Sequence, residues 1–443
     1  MTALIVLAST LIGTVLSCCL SVLPALHAYN VLGGLVILIT ALQAHGLQVP
    51  PEWYLPFMAG MIVGWSMLNT IPSVLLGAPD ESAMFTVLPG QKYLMLGRGF
   101  EGTMITGVGG LAGLFFLVLV VGPFAPRFLP IMQSVVRPHI HWVLWVITTY
   151  ILMSEWPKGG NWGPAGWAKF CDAWRSLGAG LATFFLAAFL GFILLYRSPV
   201  SVEAAFQNIM PAFVGLFGIP WCLTNILSAT TVPKQYVSNS LELTGDQVLR
   251  SFGAGSLGGG FAACFPVITG GMGGLLAGHA TAQRDEKVFL MSQGVSKLVY
   301  YVGSFMLLFV PGPSGGKGGA AIMMRMLYTP ETYYDYYMIL SAIAISGAVA
   351  FLLMAPMTRA TIWFIEKVNY RTASALALAI ILLLVFGVTG WGGMLVMTVA
   401  TGIGLIPVLF GSRRLNCLGV LLLPMACNMS GFGQDVARWL GLI

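Results

Sequence analysis

Lys297, bracketed by Val295 and Leu298, lies inside a long apolar run. An ammonium at membrane depth is costly and by default faces a cavity or a partner. The other reading is a side chain that snorkels to the interface, with Lys287 nearby. Asp80 and Glu81, followed by Ser82, adjoin a break after another apolar run. Paired carboxylates there can bind Na+ or relay H+, or they form a solvated acidic pair in a loop. His27, Tyr29 and Asn30 follow Pro24, and Thr269, Gly270, Gly271 and Gly273 follow Pro266. A helix that restarts after such a proline presents unpaired N–H groups and the positive end of its dipole, which suits a carboxylate. The glycines would let a ligand approach the backbone, whereas His27 reads equally well as an interfacial histidine. Asn69 and Ser73 are four apart and share a helix face; Ser296, Lys297 and Ser304 stand in the matching stretch of the second half. Lys317, after a further break, is another candidate contact for an anionic group. His279 reads as interfacial, and His139 and His141 as a loop or helix end without the nearby carboxylates a metal site would use.

The elements that must position these residues are dictated by composition. The chain of 443 residues is 57% hydrophobic and 8% charged, with a formal net charge of +6. Soluble domains carry about 25% charged residues. An ordinary cytosolic enzyme, a disordered chain and a nucleic-acid binder are thereby excluded. A spanning helix takes ~20 apolar residues. Apolar runs between breakers place spans near 2–22, 26–44, 55–77, 103–122, 128–153, 177–196, 205–228, 250–281, 288–311, 333–357, 373–389, 391–411 and 415–431. The expected fold is an all-α polytopic membrane protein with about 11–13 transmembrane helices. The first run lacks a basic leader and reads as a span rather than a cleaved signal. Seven cysteines without a CxxC pair read as packing residues. Basic residues follow both odd and even spans, so they give no orientation.

Glycine and proline carry the next inference. There are 55 Gly and 24 Pro, some in the middle of apolar runs, where interrupted backbone is tolerated only against protein or a water-lined cavity. Ser21–Leu38 and Cys264–Thr281 look alike: a proline after an apolar stretch, then small and polar residues, then a resumed helix. Met58–Phe85 and Met291–Met323 follow them with a second shared pattern, a polar-dotted helix ending in a proline-rich break. The expectation is two inverted structural repeats, 1–200 and 205–443, with Pro/Gly-broken helices or re-entrant hairpins. Such paired interruptions point to a secondary transporter with its site near the midplane. Packing alone is the competing account of single glycines, Gly274 and Gly278 in particular.

The stretch Ile71–Gly113 resembles the TctA family, the large permease subunit of tripartite tricarboxylate transporters, and especially its shorter archaeal variants. Pro79, Glu81, Ser82, Gly97, Arg98, Gly107, Gly109 and Gly110 match its pattern. The two Leu-Pro-Gly breaks of the family correspond to Leu23-Pro24-Ala25 and Phe265-Pro266-Val267, and a second-half stretch to Lys317-Gly318-Gly319-Ala320. The chain departs from the family at Ala25 and Val267, which replace both break glycines, and at Asp80, where a glycine is usual. The resemblance implies carboxylate uptake driven by an ion gradient in the inner membrane of a prokaryote, with a periplasmic binding protein and a small membrane partner. The di- or tricarboxylate would lie against Pro24, His27, Asn30, Asn69, Ser73, Pro266, Thr269, Gly270, Gly271, Gly273, Lys297 and Lys317. Asp80, Glu81 and Ser82 would couple Na+ or H+, and no cofactor is called for. Two other readings are a flippase for a polyprenyl-phosphate lipid carrier and a non-transporting membrane subunit of a larger complex. An enzyme is the weakest, since no HExxH or GxSxG stands in a suitable helix context.

Overall fold

The computed structural model describes residues 2–23, 26–78, 82–157, 166–200, 208–228, 231–238, 240–265, 267–310 and 319–443, and of Asn30, Gln133 and Arg137 the backbone alone. These residues form helices, with no strand among them. In chain order the helices are α1 (Thr2–Leu20), α2 (Ala28–Ala44), α3 (Pro51–Leu68), α4 (Thr70–Leu75), α5 (Val87–Met95), α6 (Gly99–Phe115), α7 (Gly122–Val136), α8 (Ile140–Ser154), α9 (Trp167–Tyr196), α10 (Ile209–Phe213) and α11 (Ile219–Leu227). They continue as α12 (Gly245–Cys264), α13 (Gly270–Ala280), α14 (Glu286–Met306), α15 (Gly319–Arg325), α16 (Tyr333–Lys367), α17 (Tyr370–Phe410), α18 (Gly419–Met429) and α19 (Gly433–Trp439).

Among the described residues seven helical stretches are long and apolar enough to cross a bilayer: Thr2–Leu20, Pro51–Leu75, Gly99–Val136, Trp167–Tyr196, Ile209–Leu227, Tyr333–Lys367 and Tyr370–Phe410. An eighth is added if the bent pair Arg414–Met429 and Gly433–Trp439 is one span. The protein is therefore a multi-pass membrane protein. The expected spans 373–389 and 391–411 lie on the two sides of Gly390, whose non-helical backbone (φ 61°) divides α17 into two helices. The helices α2 and α8 are shorter, with 17 and 15 residues. The helices α12 and α14 are 20 and 21 residues long, but α12 is rich in glycine and α14 carries Lys287, Gln293 and Lys297.

Two compact units emerge, residues 1–133 with 225–377 and residues 134–224 with 378–443, so each unit draws on both sequence halves. Compactness is a different property from repetition. Within the first unit a long helix, a short restarted helix and a long polar-dotted helix occur twice, as α1–α2–α3 and as α12–α13–α14. A further break, a short helix and a long helix follow each triplet, α5–α6 after the first and α15–α16 after the second. The pairing is reciprocal: α3 packs on α1 and α14 on α12, while α6 packs on α14 and α16 on α3.

Close approach sets these pairings. A Cβ at Gly60 of α3 would stand 2.5 Å from the Thr10 carbonyl oxygen of α1, and one at Gly259 of α12 would stand 2.5 Å from the Ser296 carbonyl oxygen of α14. Hydroxyls add polar contacts in the same seams: Ser17 donates to the Met61 carbonyl at 2.5 Å, and Thr14 donates to Ser346 of α16 at 2.7 Å. Between α3 and α4 the helix is interrupted at Asn69. Pro72 explains the place, because it has no N–H to offer the Leu68 carbonyl four residues back.

In the second unit α18 packs against α8 and α9. The buried Glu155 carboxylate accepts from the Arg413 backbone N–H at 3.0 Å and the Asn416 amide at 2.8 Å, fastening the end of α8 to the turn before α18.

Candidate functional site

The site residues of the first unit lie where the two triplets meet. Lys297 is 2% exposed and donates through Nζ to Oδ1 of Asn69, which is 4% exposed at the α3–α4 interruption. Its ammonium does not snorkel. Lys287, ten residues earlier and so about 15 Å away along the axis of α14, is the lysine at the helix end. There it stands 3.7 Å from Glu101 and donates to the Glu242 carbonyl at 3.0 Å. The 6% exposed Glu101 is held from a second side by a two-point pair with Arg98, at 2.7 and 2.8 Å. That hydrogen-bonded pair pushes the Arg98 guanidinium above its ordinary value.

On both sides of the Lys297–Asn69 bond polar groups repeat with helical spacing. The stripe on α3 and α4 is Trp65, Asn69 and Ser73; on α14 it is Gln293, Lys297 and Tyr301. Residues four apart lie one above the other on a helix face. Ser73 is fully buried and donates back to the Asn69 carbonyl at 2.9 Å, taking up an acceptor at the interruption. The Trp65 indole N–H and both amide atoms of Gln293 are buried and have no hydrogen-bond partner among the described residues. Buried polar atoms are nearly always paired in proteins, so these donors and this acceptor mark the region as a candidate site.

The restarted helices reach the same place. His27 caps α2, its Nδ1 accepting from the Tyr29 backbone N–H at 3.1 Å, while its Nε2 lies 3.1 Å from the Tyr301 hydroxyl of α14. Its ring is surrounded by Tyr29, Trp65 and Tyr301, with centroids at 4.2, 5.9 and 5.9 Å. Thr269 caps α13, its hydroxyl accepting from the Met272 N–H at 3.3 Å. The glycines that follow are required by neighbours. A Cβ at Gly270 would stand 2.9 Å from Lys297 Cα, and one at Gly271 would stand 2.6 Å from the carbonyl oxygen of the buried Ser82. Gly273 meets the Gly258 backbone of α12, so the space beside it is filled by protein, and Gly274 meets the Gln293 amide. In reciprocal fashion Gly319, at the start of α15, lies against the Tyr29 ring.

Of the residues singled out in the sequence, His27, Asn69, Ser73, Thr269, Gly270 and Lys297 are brought into this one region, with Ser82 and Gly271 adjoining. Pro24, Asp80, Glu81, Pro266 and Lys317 lie outside the described residues, as does the Asn30 side chain. His279 is exposed at the end of α13. Trp65, Gln293 and Tyr301 were missed. Their signal was present, since each stands four residues from Asn69 or Lys297.

A family model described as the tripartite tricarboxylate transporter TctA family matches residues 7–419. The chain belongs to the TctA family. Its match encloses both restarted helices, both polar stripes and every residue of the site just described. An uncharacterized protein of Methanocaldococcus jannaschii is 24% identical over 423 residues, covering 94% of this chain and 96% of its own. No solved structure matches this TctA chain. The family places it among transporters, as a subunit of a tripartite system.

Val267 adopts φ 70°, the left-handed region that a β-branched residue enters only under strain and a glycine enters freely.

Proposed function

We propose that this TctA chain is an ion-coupled secondary transporter for an organic anion, a di- or tricarboxylate, held beside Lys297 between the restarted helices α2 and α13. It works in the inner membrane of a prokaryote and carries no catalytic group. Partners are a small membrane subunit and a periplasmic binding protein. The observation that carries this reading is the burial of the Lys297 ammonium on the Asn69 amide, with the unpartnered polar atoms of Trp65 and Gln293 one helical turn away. A buried charge costs several kcal/mol unless something repays it, and a carboxylate does so. One of its oxygens would take the ammonium, the other the Trp65 N–H or the Gln293 amide. The α13 N-terminus adds its dipole, and Gly270 lets that helix begin directly against the Lys297 backbone.

The two triplets would be the moving halves of an inverted repeat, with the acidic pair Asp80–Glu81 after α4 as a place for a coupling Na+ or H+. The test is uptake of radiolabelled citrate and succinate into proteoliposomes under imposed Na+ and H+ gradients, wild type beside Lys297→Ala. Loss of an ammonium–carboxylate hydrogen bond is worth about 1.5–3 kcal/mol, so the variant should bind about 10- to 150-fold more weakly. Wild-type chain with its partners that ignores every carboxylate in both gradients, yet moves a fluorescent polyprenyl phosphate between leaflets, would replace the anion by a lipid cargo.

A further inference from the structure

The capping bond of α2 fixes where the His27 proton lies. Nδ1 accepts the Tyr29 N–H, so the neutral ring carries its proton on Nε2 and donates it to the Tyr301 hydroxyl. A second proton can enter only at Nδ1, and there it removes the acceptor that caps the helix. Protonation therefore frees the Tyr29 N–H and adds a positive charge at the N-terminus of α2. Both changes turn a self-satisfied helix end into an anion receptor. The cap at the other restarted helix behaves differently, because the Thr269 hydroxyl does not titrate.

We infer that His27 is the proton-binding residue of transport: neutral, it closes the α2 end of the anion site by capping it; protonated, it opens that end, so that one proton enters with the anion. The inference rests on the proposed anion site beside Lys297 and adds a proton that binds together with the anion, separate from any ion held at Asp80–Glu81. The groups around the ring agree with this direction. On α14 Tyr301 takes the Nε2 proton, Tyr300 lies beside it, and the Lys297 amine stands one turn away. On α3 the neighbour is Trp65, and on α2 it is Tyr29. The faces of these rings tolerate an imidazolium by cation–π attraction. Lys297 opposes a second positive charge while the site is empty, and an entering carboxylate cancels that opposition. Anion and proton thus each favour the binding of the other, as linkage requires. Imidazole is the side chain whose ordinary titration falls between pH 5 and 8.

The experiment is calorimetric titration of the purified full-length chain with citrate at pH 6 and pH 8, in buffers of different ionisation heat, which counts protons taken up on binding. His27→Asn is the paired variant, because its Oδ1 replaces Nδ1 as cap without titrating; His27→Ser is a second cap that does not titrate. Citrate's own ionisation is common to all three and cancels in the comparison. Wild type should take up about one more proton per citrate than either variant, and its affinity should fall about tenfold more between pH 6 and pH 8. Tyr301→Phe, which keeps the cap and the imidazole, should keep the extra proton. Equal proton uptake by wild type and both variants overturns the inference while leaving the anion site standing. Extra uptake lost equally in Tyr301→Phe also overturns it, since the effect would then follow the packing of the rings. Absence of citrate binding to wild type at either pH overturns the anion reading and this one together.

Discussion

The two restarted helices of the first unit solve one problem with different chemistry. Both α2 and α13 begin after a proline-marked break, both have their first turn capped by a side chain, and both begin beside α14, α2 through His27 and Tyr301 and α13 through Gly270 and Lys297. At α2 the cap is a histidine inside a box of aromatic rings. At α13 the cap is a threonine, and the backbone is wedged against Lys297 Cα and the Ser82 carbonyl through Gly270 and Gly271. On the proposal above, the first end changes its hydrogen bonding with one proton. The second is set by close contact at Gly270 and Gly271. The proposed site would then have one adjustable jaw and one rigid jaw.

Substitutions can break that contrast in order of expected effect. Gly271→Val should be the most damaging, because its side chain must displace the Ser82 backbone. Overpacking costs about 1–3 kcal/mol, and α13 would leave its place beside Lys297. Citrate uptake should vanish while the chain still assembles, which size-exclusion chromatography and uptake together report; normal uptake would mean that the second jaw is not rigid. Next comes Lys297→Ala, with its weaker anion binding, against Lys297→Arg, which keeps the charge but cannot match the Asn69 geometry. Val267→Gly works in the opposite direction. Relieving the left-handed strain should stabilise the chain by about 1–2 kcal/mol, seen as a rise in the thermal midpoint, and an unchanged midpoint would show that the turn is not strained. Thr269→Ala, the smallest, removes a cap worth about 1 kcal/mol. Its loss of stability should be the same at pH 6 and pH 8, whereas that of His27→Ala should change between them.

The sequence carried much of this site in readable form. Lys297 was conspicuous because charge is scarce in apolar runs, and Asn69 with Ser73 because four-residue spacing puts them on one helix face. The prolines marked where helices restart, which brought His27 and Thr269 to notice. Trp65, Gln293 and Tyr301 escaped because an aromatic residue or a glutamine in a helix is unremarkable until the charge four residues away is known to be buried beside it. The Arg98–Glu101–Lys287 cluster was equally hidden, since its members come from α6 and α14 and meet only through packing. The division of α17 was legible as well, because Gly390 separates the apolar runs 373–389 and 391–411 and its backbone is non-helical.

By itself, then, the sequence determined that this is a multi-pass helical membrane protein, where its helices break, and which face of each helix is polar. Those are properties of composition and of the 3.6-residue period, and both are local. Tertiary structure alone decided that the polar faces of α3 and α14 meet, that Asn69 is the partner of Lys297, and that one restarted helix is capped by a titratable ring pressed on Tyr301. The reason is physical. Helix periodicity fixes the direction of a side chain about its own axis, whereas the identity of the facing helix depends on glycine seams such as Gly60 on Thr10 and Gly259 on Ser296, whose partners lie far apart along the chain or on another helix.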